Sequence, residues 1–200
     1  HILPAADPKR ELVGAIQENA DRLLADSRFD AVAVGLTEFL LLHADTDQLM
    51  HWLGLLEERT LRGHYSVIGL LPLERAFKAW APSDLAGRAL ERFEVAFRSW
   101  KTTPAEVKHL HAASHWLQTY AYTAKPTKEV GEWALSLVDA IGSDEQLVFP
   151  LLTLLCDCAD EDVFRQAIGH ASLRRLQVGF NAWRWARSVS WPSLSWGELT

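Results

Sequence analysis

Cysteine is nearly missing from this chain, with Cys156 and Cys158 the only two in 200 residues. Two positions apart on a helix, their side chains point in different directions, which disfavours both a mutual disulfide and a shared metal. They are expected to be small buried apolar residues of a protein from a reducing compartment. Long apolar runs are missing as well. No window approaches the roughly eighteen apolar residues of a membrane span and no basic-then-apolar leader opens the chain, so a cytoplasmic protein with no membrane contact is expected. The opening residues, His1-Ile2-Leu3, are expected to mark a tag remnant or excision from something longer.

Positive charge is in short supply. Lys and Arg number 20 against 26 Asp and Glu, a formal charge of −6. Binding to nucleic acid draws its affinity from counterions displaced by a surplus of cations, so no nucleic-acid partner is expected. Between Glu129 and Asp162 there are acids and no Lys or Arg at all. The motifs of several chemistries are also absent: no phosphate loop, no dinucleotide glycine signature, no Gly-x-Ser-x-Gly elbow and no His-Glu-x-x-His. No catalytic residues and no cofactor are assigned.

What the chain does contain is helix. Apolar residues recur at helical intervals, as in Leu12, Ile16, Leu23 and Leu24 or Val107, Leu110, Leu117 and Ala121, and sustained alternation occurs nowhere. Start signals accompany them: Asp7-Pro8, then Ser27 with Asp30, Asp45 with Gln48, Thr103 with Glu106 and Ser143 with Gln146 as capping boxes or their relatives. Ser83, Pro126 and Asp160 mark further starts. The expectation is an all-α fold of about ten helices near 8–25, 28–43, 46–60, 65–80, 84–101, 104–124, 127–141, 144–156, 160–169 and 172–189. One domain spans 1–200, with an irregular, Trp-rich tail over 190–200. A step of roughly twenty residues between starts makes a helix pair of about forty, the length of a stacked helical hairpin.

The stretch from Ser143 to His170 is the most informative. Nearly every residue from Leu147 to Leu155 is apolar, which suits an inner helix packed between neighbours. Pro150 lacks an amide proton and is expected to bend it. Asp160 should cap a second helix that turns Val163, Ala167 and Ile168 inward. In their order Pro150, Asp157, Val163 and Arg165 resemble a HEAT-type repeat, with proline within the first helix, aspartate closing it, then valine and arginine early in the second. The resemblance implies a HEAT-like α-solenoid, a fold whose members mostly act as scaffolds that bind other macromolecules on a curved surface.

Candidate chemistry centres on histidine. His111 and His115 are four apart and share a helix face, as a metal pair would, and Glu106 with His109 has the Glu-x-x-His spacing of di-metal bundles. No second such motif exists, and His109 points away from His111. His43, Asp47 and His51 could complete a mononuclear site. Histidines beside Trp116 and Trp52 are nonetheless expected to be half-buried polar edges, so no metal is assigned; if one is held, His111 and His115 hold it. The paired acids Glu57-Glu58 and the run Asp160, Glu161, Asp162 are expected at caps and solvated turns. The acidic, apolar setting of Cys156 and Cys158 should raise their thiol pKa.

Tryptophan is the excess, nine against three tyrosines. Two segments echo each other, Ala76-Phe77-Lys78-Ala79-Trp80 and Ala96-Phe97-Arg98-Ser99-Trp100, and both are expected to close a hairpin with a packed aromatic pair. Near the end Arg174, Arg175, Trp183, Arg184, Arg187 and Trp191 combine arginine with indole, the composition of binding hot spots. The expected function is a non-enzymatic helical-repeat scaffold that binds a protein partner through its concave face and this C-terminal end. The alternatives are an immunity or inhibitor protein that neutralises a basic partner, and a metal-dependent helical-bundle enzyme using His111 and His115.

Overall fold

In the computed structural model, residues 7–25, 30–61, 73–142, 144–158 and 160–170 are described. Every element among them is a helix, and none is long and apolar enough to cross a membrane. The chain divides into two compact units, His1–Thr123 and Ala124–Thr200.

Helix α1 (Pro8–Glu18) starts as its sequence dictates: the Asp7 carboxylate accepts the Lys9 amide at 3.0 Å and Pro8 fills a first-turn position whose N–H has no intrahelical partner. The expected helix over 8–25 is interrupted at Asn19, and α2 (Ala20–Ala25) follows. Asn19 side-chain nitrogen donates to the Ala15 carbonyl at 2.8 Å, the local competition that makes asparagine a poor interior residue. Helix α3 is Asp30–His43 and α4 is Thr46–Leu61. Before α4 the capping box is complete, with Gln48 N–H donating to Asp45 Oδ1 at 2.8 Å and Asp45 N–H to Gln48 Oε1 at 3.1 Å. Next come α5 (Glu74–Trp80) and α6 (Leu85–Thr102). The N-cap of α6 is Asp84, whose carboxylate accepts from the Thr46 hydroxyl at 2.7 Å, while Arg88 pairs with Asp47. These two contacts tie the starts of α4 and α6 together.

Helix α7 (Val107–Thr123) begins later than its sequence signal. Thr103 is the C-cap of α6 instead of an N-cap: its hydroxyl donates back to the Ser99 carbonyl at 2.9 Å, leaving 103–106 as a turn. Across that turn α6 and α7 pack side by side, and α7 also packs on α4 and α5. Burial is therefore continuous from Ala112 to Tyr122, polar residues included. The aromatic echo splits by position. Phe77 is buried against Tyr122 with ring centroids 6.3 Å apart, whereas Trp80 stays 46% exposed. Phe97 sits between Phe93 and Trp100, at 5.2 and 5.6 Å.

In the second unit the expected helix over 127–141 is two segments, α8 (Lys128–Ser136) and α9 (Val138–Ile141), separated at Leu137. Thr127 caps α8 through the Val130 amide, and α9 ends at Gly142, whose φ of 66° is open to glycine at little cost. Helix α10 (Glu145–Asp157) packs against α8, α9 and α11 (Glu161–Gly169). Its N-cap is Asp144, which accepts the Gln146 amide at 3.1 Å; Ser143, the expected cap, lies outside the described residues. Pro150 lies inside α10, and Leu147, Val148, Leu151, Leu154 and Leu155 are buried, so the inner-helix expectation is met. Asp160 caps α11 through the Val163 amide at 3.0 Å. Helix α8 approaches the end of α10 so closely that a Cβ on Gly131 would stand 2.7 Å from Cys158 Cβ.

Candidate functional site

The polar residues that evolution of a packed core normally removes are concentrated on α7. His111, His115, Gln118 and Tyr122 recur at intervals of four, three and four, which places them on one stripe of the helix. His115 is 1% exposed and Gln118 2%. Gln118 Nε2 donates to the Tyr122 hydroxyl at 3.0 Å. The rest of the stripe is unsatisfied: both ring nitrogens of His115, His111 Nδ1 and Gln118 Oε1 are buried and make no hydrogen bond. The Leu53 carbonyl of α4 lies beside the His115 ring without completing a bond to it. Burial dominates that ring's chemistry and pushes its pKa down from 6.5 to about 4, with the carbonyl opposing the shift. His115 is thus neutral at physiological pH, one nitrogen a donor and the other an acceptor.

One residue further, α7 makes its charged contact. Trp116 Nε1 donates to Glu57 Oε2 on α4 at 2.6 Å, and the Arg92 guanidinium of α6 lies 5.9 Å from the Trp116 ring centroid. Burial raises the Glu57 pKa, opposed by the indole hydrogen bond and the Arg92 charge. Glu57 was expected at a solvated turn beside Glu58; it sits within α4 instead and supplies the acceptor that the buried Trp116 indole N–H needs. His115 also meets Trp116 edge to face, at 5.0 Å between centroids.

The other candidate ligands are dispersed. Glu106 and His109 do interact, at 3.3 Å, but Glu106 is exposed and held by Lys108 at 2.7 Å, which with His109 lowers its pKa. Asp47 pairs with Arg88, His43 packs on Phe39 at 4.7 Å and His51 is exposed. Among the described residues no group of three or more His, Cys, Asp and Glu is placed to hold a metal ion. His111 and His115 share the stripe, yet nothing else among the described residues joins them as a ligand set. The half-buried edge expected of His115 is a fully buried ring instead, because α4, α5 and α6 all pack on α7.

In the second unit Cys156 and Cys158 are buried and form no disulfide, and burial pushes the Cys158 thiol up, the direction its apolar setting foretold. Lys128 reaches Asp160 at 3.4 Å and Glu132 at 4.0 Å, and His170 Nε2 lies 3.2 Å from Asp139. Arg174, Arg175, Trp183, Arg184, Arg187 and Trp191 lie outside the described residues. Gln118, Tyr122 and Glu57 were missed in the sequence. The first two continue the His111–His115 spacing and could have been found by extending it; Glu57 carries no local signal, since its partner is 59 positions away.

No protein-family model matches the chain, and neither a curated protein nor a solved structure matches it.

Proposed function

We propose that the chain is a non-enzymatic, HEAT-like helical scaffold of the cytoplasm that binds a basic protein partner. The observation that carries this reading is the outward face of the second unit. Glu129 and Glu132 on α8 are exposed and the Asp139 side chain on α9 is 85% exposed, while Lys128, the nearby cation, is drawn to Asp160 and Glu132. Carboxylates fixed on helices create a field that steers a cationic surface and rejects an anionic one. Because the helices are preformed, little ordering entropy opposes association. In this reading the concave side of stacked hairpins and the segment holding Arg174, Arg175, Trp183, Arg184, Arg187 and Trp191 supply the remaining contacts. The same acidic face favours a narrower second reading, an immunity or inhibitor protein that neutralises one basic partner.

The test is affinity capture from native extract with the wild type and the triple variant Glu129→Lys, Glu132→Lys, Asp139→Lys, over a range of salt. A basic protein retained by the wild type, released as salt rises and lost with the variant supports the proposal. Retention of no partner, or of the same partner by both forms at every salt concentration, overturns it. A single partner held tightly would select the inhibitor reading over the general scaffold.

A further inference from the structure

We propose that the stripe His111, His115 and Gln118 is an acid-sensitive latch, in which protonation of the His115 ring releases the packing of α7 against α4. The geometry is that of a group with nowhere to put a charge. Both ring nitrogens are buried without a hydrogen bond, as are His111 Nδ1 and Gln118 Oε1 on the same stripe. Buried polar groups without partners are uncommon in native proteins, and each raises the free energy of the state that buries it. A second proton on His115 adds a full charge to that setting, where neighbours would have to be carboxylates to hold it.

Among the described residues no carboxylate acts on the His115 ring. The helices packed on α7 carry Glu57 and the buried Arg59 on α4, Glu74 with Lys78 on α5, and Arg92 on α6; His111 stands on α7 itself. Glu57 accepts from the Trp116 indole and feels the Arg92 charge, and Glu74 binds Lys78 at 2.8 Å. The influences on the His115 ring are burial, which lowers its proton affinity, and the Leu53 carbonyl, which raises it by less. A histidine whose folded pKa is depressed favours the folded state fully above its unfolded value, and that stability is lost as pH falls from 6.5 towards about 4. Glu57 works in the opposite direction, since its raised pKa makes the folded state the better proton binder in acid. The two are separated by substitution at His115.

The experiment uses the full chain. Unfolding by denaturant is followed between pH 7.5 and 4, with hydrogen exchange corrected for its intrinsic pH dependence, for the wild type, His115→Leu and His115→Gln. Relative to either variant, the wild-type unfolding constant is expected to rise about tenfold per pH unit below 6.5, on the order of 300-fold in all. Exchange should rise first in α4 and α7, ahead of α8 to α11. Equal pH dependence in wild type and variants, or acid exposure spread evenly over both units, overturns the proposal. Should neither variant fold, the His115 ring proton of the wild type is followed by NMR. A ring still unprotonated at pH 5.5 supports the latch, and one that titrates at an ordinary value near 6.5 overturns it.

Discussion

Trp116 and Glu57, 59 positions apart in the chain, meet through an indole N–H that donates to a carboxylate oxygen at 2.6 Å. This bond joins α7 to α4 within the first unit. Replacing Glu57 with Ala leaves the indole N–H buried without an acceptor and is expected to destabilise the fold by about 1–3 kcal/mol. Glu57→Gln keeps an acceptor and should cost about 1 kcal/mol or less. A double-mutant cycle of Glu57→Ala with Trp116→Phe, read by chemical denaturation, should return a coupling of about 1.5 kcal/mol.

Gly131 is fixed by what stands opposite it. An added Cβ would lie 2.7 Å from Cys158 Cβ, 2.8 Å from Cys158 Sγ and 3.1 Å from Val163 Cγ1. Gly131→Ala is therefore expected to destabilise the second unit by about 1–3 kcal/mol through overpacking. Adding Cys158→Ala should restore little, because the alanine keeps the Cβ that makes the nearest contact. Thermal denaturation of the single and double variants checks both statements.

Asp160 makes stability in the second unit depend on pH in a different range from that of His115. The hydrogen bond from the Val163 amide, with a smaller contribution from Lys128, holds its carboxyl below the ordinary value of 3.8. A carboxylate with a depressed folded pKa contributes stability above its unfolded pKa and loses it as pH falls through the folded one. Asp160→Ala should lower stability at neutral pH and flatten the acid limb below pH 3.8. Asp160→Asn keeps an oxygen for the cap, so it should retain more of the neutral-pH stability while losing the same acid dependence. Denaturant midpoints measured from pH 2 to 7 distinguish the three forms.

The parts of the fold that were legible in the sequence are those set by local chemistry. Asp7, Asp45 and Asp160 cap where short-range hydrogen bonding says they should, and most of the apolar run from Leu147 to Leu155 is buried because no helix can keep so oily a surface wet. Errors arose where two local outcomes compete. Thr103 can close one helix or open the next, and its hydroxyl closes α6. Asn19 and Leu137 divide stretches whose apolar rhythm continues past them. The stripe on α7 was half legible: the spacing of His111 and His115 is written in the chain, but their depth is set by α4, α5 and α6, which come together from distant positions. Glu57 was misjudged for the same reason. Acids beside one another look solvated until the tertiary partner of one is known.

A smaller feature of the first unit governs how α3 is oriented. Trp52 Nε1 donates to the Thr37 hydroxyl at 2.9 Å, and that hydroxyl donates in turn to the Ala33 carbonyl at 2.7 Å, all within the interior. A hydroxyl has one proton, and Thr37 has committed it to its own helix, so towards the indole it can act only as acceptor. The direction of the relay is thereby fixed. Because α3 carries apolar side chains on most of its circumference, greasy contact alone would allow several rotations of the cylinder about its long axis. Only one of them brings oxygen to indole. A single oxygen atom thus indexes the helix, as a keyway indexes a shaft.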